Sequence, residues 1–448
     1  MRSLTMLLAT GVKFGAQEIV PIIIDPDTAN ADLTRTVSLL NNYSAIRREL
    51  NFSDDNESQF FRTGIDQILP NYTLRINDTE DKKFKEFIGY PSMSNTNKAF
   101  TKMLFSDENL NSSMEIGFKG NPNIGSVVLN QIASSDDFID FANRFNQGDR
   151  IFIISSIFGG TGASGFPLLL KTLRTGNNFP NYDIINRSTI GAITILPYFK
   201  LQRDEKSAID SSTFISKTKA ALAYYEQNII RNGSIDALYY IADEIANTYE
   251  NHEGGTDQQN DAHLIEFLAA TAIINFSNSI FTFTSNMELG LKDDVDVVSF
   301  DSFYHGMREL LYSPMVQFTM MANALTYKLG TFNSKSFNAN KGNFDNFYSG
   351  IFFTNLSAFL KKYHDWLKEM KENKRQLDLF DLNCKDHPFE LVTGVKPKKI
   401  ISRFSDYSLV LDRLNEAIRN CRSKGTNDKF LEMFFLGTRK LVSEKLSN

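Results

Sequence analysis

The stretch from Arg150 to Leu173 constrains the fold of this chain more than any other part of it. Its first residues, Arg150 to Ser156, form an isoleucine-rich apolar run, which is typical of a buried strand in a parallel sheet. A glycine-rich segment follows, and a helical pattern then runs from Gly165 to Leu173. A strand, a glycine turn and a helix in this order predict a unit of an α/β fold, in which ligands bind beyond the carboxyl ends of parallel strands.

Strand and helix patterns alternate along the chain as far as residue 280. The predicted strands lie at 20–24, 150–156, 189–196 and 237–241, and the predicted helices at 1–14, 31–40, 124–132, 165–173, 214–230 and 260–276. A polar, asparagine-rich stretch at 50–113 has weak periodicity and predicts a long insertion with short helices. The alternation favours an α/β fold built on a doubly wound parallel sheet.

The chain changes character beyond residue 280, where helical patterns occur at 303–329, 356–376, 409–422 and 428–446. We therefore expect three parts: an α/β domain at 1–258, a long apolar connecting helix at 259–280 and a mainly helical C-terminal domain at 281–448. The length of 448 residues, with 42% hydrophobic residues, suits two domains that each bury a core.

Composition and charge argue against several partners and compartments. The net charge of −5 gives no electrostatic reason to expect binding to nucleic acid or to an anionic membrane. Because Cys384 and Cys421 are the two cysteines, we expect no disulfide framework and a reducing, cytoplasmic location. No apolar run reaches the roughly 18 residues of a membrane helix. The short run from Leu4 to Leu8 predicts part of a folded helix rather than a signal peptide.

Two glycine-rich segments carry the residues best suited to bind phosphate. One lies between a strand and a helix and has the sequence Phe158-Gly159-Gly160-Thr161-Gly162-Ala163-Ser164-Gly165. Phosphate oxygens need backbone N–H groups that point inward, and small residues let the backbone approach closely. Thr161 and Ser164 can add hydroxyl donors. The segment lacks the Gly-Lys-Ser/Thr of a Walker loop, and an ordinary glycine-rich turn is the alternative interpretation.

The other segment is Gly117-Phe118-Lys119-Gly120-Asn121-Pro122-Asn123-Ile124-Gly125, which also precedes a helix. Pro122 suits the start of that helix, and Gly120 and Asn121 can expose N–H groups to an anion. Two such segments on successive strand–helix connections are hard to explain by packing alone. We therefore predict that they lie side by side at one edge of the sheet and form an anion site.

In sequence and in order, these segments resemble those of the tubulin/FtsZ superfamily, and the chain is similar to its divergent bacterial tubulin-like members. Residues 159–165 resemble the tubulin signature Gly-Gly-Gly-Thr-Gly-Ser/Thr-Gly, and 117–125 resemble the Gly-Gly-Asn-Pro-x-x-Gly loop of FtsZ. Weaker similarities at 24–28, 193–197, 235–243 and from Asn260 onward extend the resemblance over roughly residues 1–280. The resemblance implies that 1–258 is a nucleotide-binding domain.

The resemblance also implies which residues bind a guanine nucleotide. The phosphates would contact Gly120, Asn121, Gly159, Gly160, Thr161, Gly162, Ala163 and Ser164. The base and ribose would contact Pro197, Asp243 and Asn260, and Asp27 would lie near a bound Mg²⁺. The implied ligand is GTP or GDP.

Two of the polar residues, Asp243 and Asn260, have two interpretations each. An ionised Asp243 only accepts hydrogen bonds, which suits the two adjacent donors of guanine; the alternative is a surface aspartate that caps the next helix. Asn260 would stack on or hydrogen-bond the base, or it would cap its own helix. Asp25 could be structural and close an Asx turn.

The chain departs from the family pattern in three places. The ribose loop lacks the expected acid at Leu201. The family's first strand and first glycine loop should precede the first helix, whereas Met1 already lies within that helix; either translation starts upstream or the site lacks one phosphate loop. Family members that hydrolyse GTP carry an acid just after the central helix, and residues 277–280 contain none. Asp293, Asp294 and Asp296 follow later, without a recognisable register.

The catalytic residue therefore stays unknown, and two functions remain open. We expect a guanine-nucleotide-binding, tubulin-like protein that associates with itself or with partner proteins and hydrolyses GTP weakly or only on assembly. The alternative is a scaffold or interaction protein that keeps the fold and does not hydrolyse nucleotide.

Overall fold

Helices make up most of the regular structure in the part of the chain that the computed structural model describes. The described residues are 1–27, 30–53, 56–76, 79, 82–114, 118, 121–202, 213–244, 247–249, 259–280, 289–292, 295–332, 337–341, 343–398 and 406–446. The α-helices are α1 (Arg2–Ala9), α2 (Ala31–Arg48), α3 (Phe84–Phe87), α4 (Asn95–Leu104), α5 (Asp107–Asn111), α6 (Pro122–Leu129), α7 (Asp136–Arg144), α8 (Gly160–Thr175), α9 (Tyr182–Asn186), α10 (Phe214–Tyr225), α11 (Leu264–Asn278), α12 (His305–Tyr327), α13 (Leu329–Phe332), α14 (Ile351–Glu372), α15 (Asp406–Asn420) and α16 (Thr426–Lys445). A π-helical turn at Glu226–Ile230 continues α10.

The strands are short and pair in parallel. They are β1 (Glu18–Ile19), β2 (Gly64–Ile65), β3 (Arg150–Ser156), β4 (Thr189–Ile195), β5 (Phe199–Leu201), β6 (Ala237–Ile241), β7 (Asn247–Tyr249), β8 (Val297–Val298) and β9 (Gln376–Leu377). A three-stranded sheet has the order β3-β4-β6, while β1 pairs with β2, β5 with β7 and β8 with β9. The protein is thus an α/β protein, but its described strands do not form the extended doubly wound sheet that the sequence predicts.

Helices cover both faces of the β3-β4-β6 sheet. On one face, Ile153, Ile190 and Ala192 are buried in a core that includes Leu170 of α8. On the other face, Ile193 packs with alanines of α11, and the ring of Phe152 lies 5.0 Å from that of Phe276. The alternation of side chains along each strand sends its apolar residues to both helices. We call the ends of the three strands, at Ser156, Ile195 and Ile241, the carboxyl edge.

The described residues form two large hydrophobic cores, beside the small cluster of Ile193 with the alanines of α11. The smaller core joins the sheet to α6, α7, α8 and α10. The larger core joins α1 and α2 to α11, α12, α14, α15 and α16, and so contains residues from both sides of the boundary predicted at residue 258. Side chains reinforce this packing, since the Trp366 indole N–H of α14 donates to Ser3 Oγ of α1 at 3.1 Å. No described helix is long and apolar enough to cross a membrane.

Several element boundaries differ from the sequence prediction. The strand predicted at 20–24 is replaced by β1 and a single parallel bridge between Ile23 and Thr73. Pro21 has no N–H to donate, which explains why pairing is interrupted there. The first helix ends at Ala9, while the helix predicted at 31–40 continues to Arg48. The short helices predicted within the insertion at 50–113 are present as α3, α4 and α5.

Candidate functional site

The first turns of α6 and α8 lie against each other at the carboxyl edge. A Cβ atom built on Gly125 of α6 would lie 3.0 Å from the carbonyl oxygen of Gly160 and 2.3 Å from Ser164 Oγ, both in α8. Any residue larger than glycine at 125 would push the helices apart. The structure therefore brings the described part of the 117–125 segment next to the 158–165 segment; Gly120 lies outside the described residues.

The glycine-rich segment at 158–165 forms the first turns of α8 rather than a loop. The helix begins at Gly160, with Gly159 as its N-cap residue, whereas the sequence predicted a start at Gly165. A Cβ on Gly162 would lie 2.8 Å from the backbone nitrogen and oxygen of Ser156, so only glycine lets the helix sit directly on the end of β3. The first N–H groups of a helix have no carbonyl one turn earlier, and they attract anions.

Two of the predicted phosphate ligands make hydrogen bonds within their own helices. Asn121 caps α6, because its Oδ1 accepts the N–H groups of Asn123 at 3.0 Å and Ile124 at 3.4 Å. The buried Ser164 hydroxyl donates to the Gly160 carbonyl at 2.7 Å. Asn121 therefore keeps its amide N–H₂ for a ligand, while the Ser164 hydrogen is used inside α8. Thr161 and Ala163 are half-buried in the first turn of α8.

Two buried hydroxyls at the carboxyl edge were not predicted from the sequence. Ser155 of β3 lies opposite Thr194 of β4, and neither hydroxyl has a hydrogen-bond partner among the described residues. A Cβ on Gly162 would lie 3.3 Å from the Ser155 Cβ, which places this pair beneath the first turn of α8. The signal that could have revealed them is a polar residue next to last in each of two apolar strands. Buried polar atoms usually have partners, so these two are suited to a ligand or a bound water.

The acidic turn at Asp25 and Asp27 contains the Asx turn that the sequence analysis gave as a structural role for Asp25. Asp25 Oδ1 accepts the N–H of Asp27 at 3.0 Å and closes an Asx turn, and Asp27 is buried. Burial raises the pKa of Asp25 to about 6, with a further contribution from the Asp27 carboxylate. Among the described residues, no group of three or more His, Cys, Asp and Glu side chains could hold a metal. Mg²⁺ commonly takes only one or two protein carboxylates and completes its coordination with substrate phosphates and water.

Asp243 lies two residues beyond β6 and is bound to the C-terminal half of the chain. Its Oδ1 accepts a hydrogen bond from Nη1 of Arg375 and another, of 2.8 Å, from the backbone N–H of Glu244. The Asp243 side chain is 8% exposed in this ion pair. The carboxylate of Asp243 therefore lies against a charged partner.

Asn260 and Pro197 are the two other residues that the resemblance implies for the base and ribose. Asn260 donates from its backbone N–H and its side-chain amide to Asp32, at 3.1 and 2.7 Å. It does not cap α11, which begins only at Leu264; the cap is His263, whose Nδ1 accepts the N–H of Ile265 at 3.0 Å. Pro197 is buried directly after β4, ahead of Tyr198, whose ring centroid lies 4.9 Å from that of His263.

The segment after α11 contains no acid among residues 277–280. The Asn278 side-chain amide donates to the carbonyl of Lys13 at 2.9 Å, and Ser277 Oγ accepts the N–H of Gly15 at 3.2 Å. Asp293 and Asp294 lie outside the described residues. No protein-family model, curated protein or solved structure matches the chain.

Proposed function

We propose that this chain binds a guanine nucleotide, GTP or GDP with Mg²⁺, at the carboxyl edge, within a doubly wound domain of the tubulin/FtsZ type. The observation that carries the proposal is the meeting of α6 and α8 through Gly125 and Gly160. Two helix N-termini that converge at the ends of parallel strands concentrate N–H donors and positive potential where a phosphate can lie.

The dimensions of the sheet suit a nucleotide that lies across it. β3 and β6 are two strand spacings apart, or about 10 Å. If the phosphates lie at the first turn of α8, the ribose would lie near Pro197, beyond β4, and the base near Asp243, beyond β6. An ionised carboxylate accepts hydrogen bonds from the donors of guanine, whereas it repels the lone pair on N1 of adenine. Asp27 and Asp25 would supply the carboxylates for Mg²⁺.

The proposal is tested by titrating the protein with GDP, guanosine and ADP in the presence of Mg²⁺, using isothermal calorimetry. GDP should bind at least tenfold more tightly than guanosine, because the helix N-termini act on the phosphates. ADP should bind more weakly than GDP. No detectable GDP binding, or equal binding of GDP and guanosine, would exclude the phosphate site.

Ser155→Ala gives a second test at the phosphate end. Ser155 has no hydrogen-bond partner among the described residues, so its loss should not destabilise the free protein. If its hydroxyl contacts a phosphate or a bridging water, GDP affinity should fall by roughly threefold to tenfold, the effect of one hydrogen bond. Ser135→Ala is the contrasting control, because Ser135 caps α7 and its hydroxyl already accepts the N–H of Phe138 at 3.2 Å; it should lower stability and leave GDP affinity unchanged.

Hydrolysis by a single subunit should be slow in this proposal. Residues 277–280 offer no acid to activate water, and positioning alone leaves phosphoryl transfer without that group. Both cysteines are free, which suits a reducing cytoplasm. A GTPase assay at rising protein concentration tests self-association. A rate per subunit that climbs with concentration would show that assembly completes the site.

A second candidate is a scaffold that does not use nucleotide. It is favoured by the internal bonds of Asp243 with Arg375, of Asn260 with Asp32 and of Ser164 with Gly160. These bonds occupy groups that a nucleotide would otherwise contact. The GDP titration separates the two candidates, since a scaffold of this kind would bind neither GDP nor GTP.

A further inference from the structure

The ion pair between Asp243 and Arg375 leaves the two carboxylate oxygens of Asp243 in different states. Oδ1 accepts both the Arg375 guanidinium and the N–H of Glu244. No described residue donates to Oδ2. A carboxylate oxygen has about two lone-pair positions for hydrogen bonds, so Oδ1 is filled and Oδ2 keeps its capacity.

Arg375 is held in place from both sides. Before it, Asn373 donates from its side-chain amide to the carbonyl of Ala262 at 2.7 Å. After it, Gln376 begins β9 and donates its N–H to the carbonyl of Asp296 at 2.8 Å. The guanidinium is also 18% exposed, against 8% for its partner carboxylate. Releasing Arg375 would leave a buried charge without its partner, which is costly.

The difference between Oδ1 and Oδ2 limits how many hydrogen-bond donors of a purine Asp243 can bind. Guanine presents its N1–H and its 2-amino group side by side, and a carboxylate accepts both only if each oxygen is available. Hypoxanthine presents the N1–H alone. Adenine has an acceptor at N1, which a carboxylate oxygen repels.

We infer that Arg375 restricts Asp243 to one purine donor, so that the site takes 6-oxopurine nucleotides, guanine and hypoxanthine alike, and does not use the 2-amino group. This inference rests on the nucleotide site proposed above. Arg375 acts here as a positioning residue: it touches Asp243 and fixes which oxygen faces the base.

The test compares GDP, inosine diphosphate and ADP on the unmodified full-length chain by calorimetric titration. GDP and inosine diphosphate should have dissociation constants within about threefold of each other, and ADP should bind at least tenfold more weakly. A preference of more than tenfold for GDP over inosine diphosphate overturns the inference and leaves the proposed function standing. Equal binding of ADP also overturns it, because the base would then not be read. If no nucleotide binds, both the inference and the proposed function fail.

Arg375→Met provides the second measurement, because methionine cannot donate to Oδ1. The variant should gain a preference for GDP over inosine diphosphate of about tenfold or more, the effect of a hydrogen bond to a charged group. Arg231→Met is the matched control: Arg231 is 68% exposed and pairs with Glu226, ahead of β6. It should leave the ratio unchanged. An unchanged ratio in a folded Arg375→Met protein overturns the inference, and if that variant does not fold, the comparison on the unmodified chain decides.

Discussion

Thr194 of β4 carries a hydroxyl group that the sheet does not satisfy. Its hydroxyl is fully buried and has no partner among the described residues. Because an unsatisfied buried hydroxyl costs free energy, Thr194→Val should raise the free energy of unfolding by about 1 kcal/mol. Urea denaturation of the nucleotide-free protein measures this change.

Thr319→Val supplies the matched control for that prediction. The Thr319 hydroxyl is equally buried but bonds to the carbonyl of Met315 at 2.7 Å and to the Tyr363 hydroxyl at 2.9 Å. Its replacement should lower the free energy of unfolding by about 1–2 kcal/mol. If Thr194→Val also lowers the free energy of unfolding, the Thr194 hydroxyl has a hydrogen-bond partner.

Asp25 makes the stability of the fold depend on pH. Burial raises its pKa from 3.8 to about 6 in the folded state. The folded protein therefore holds the proton more tightly than the unfolded chain does. This contribution to stability is fully present below about pH 4 and is lost as the pH rises through about 6. At about 1.4 kcal/mol per pKa unit, it amounts to about 3 kcal/mol.

Asp25→Asn should remove this dependence, since asparagine keeps an oxygen for the N–H of Asp27 and does not ionise. Urea unfolding between pH 4 and pH 7 should show the free energy of unfolding of the unmodified chain falling relative to that of the variant. Parallel pH profiles for the two proteins would show that Asp25 titrates normally.

Residue roles were predictable where they depend on neighbours in the sequence. The Asx turn of Asp25 follows from the turn Asp25-Pro26-Asp27. The partner of Asp243 could not be predicted, because Arg375 lies 132 residues away in sequence. The same holds for Asn260, whose partner Asp32 is 228 residues away. Pairings of this kind depend on how the two cores meet, which local patterns do not specify.

Elements were predictable where hydrophobic periodicity is strong, as in β3 and β6, whose bounds agree with the sequence prediction. The start of α8 could not be predicted in this way, because glycine disfavours helix interiors. The sequence pattern at 160–164 therefore favours a loop. Its helical form depends on contact with β3 and α6, a tertiary effect. The start of α11 moved to Leu264 because His263, an uncommon N-cap residue, provides the capping nitrogen.

Gly125→Ala tests the contact between α6 and α8. The added Cβ would meet Ser164 Oγ at 2.3 Å and the Gly160 carbonyl oxygen at 3.0 Å. Overpacking should outweigh the better helix propensity of alanine and lower the free energy of unfolding by about 1–2 kcal/mol. Because the two N-termini would separate, GDP affinity should also fall. Both quantities are measured on the same preparation, by urea denaturation and calorimetry.

The control for this variant is Gly306→Ala in α12, where an added Cβ has no heavy atom within 4 Å. Its stability should stay the same or rise by up to about 1 kcal/mol. If Gly125→Ala behaves like Gly306→Ala in both assays, the contact does not organise the site.

In the whole molecule, the two large cores do not correspond to the first and second parts of the sequence. Helices α1 and α2 pack with α11 and the C-terminal helices, while the sheet and α8 belong to the other core. Charged groups follow the same arrangement: Glu369 of α14 binds Arg2 of α1 at 3.1 Å and Arg35 of α2 at 2.9 Å. The boundaries predicted at residues 258 and 280 followed the local pattern of the chain, and such a pattern does not reveal where the first helices pack.

This arrangement predicts that two leucine substitutions speed hydrogen exchange in different parts of the molecule. Leu7 of α1 is fully buried in the larger core and Leu170 of α8 in the smaller one. Each change to alanine should cost about 2–5 kcal/mol, because it removes apolar burial and leaves a cavity. In hydrogen exchange followed by mass spectrometry, local opening follows the packing of each core. Leu7→Ala should therefore speed exchange in α14, which is more than 340 residues away in sequence, and spare β3 and β4. Leu170→Ala should do the reverse. If Leu7→Ala instead speeds exchange in β3 and β4 and leaves α14 protected, the first helices belong with the sheet, and the chain divides near residue 258 as its sequence pattern indicated.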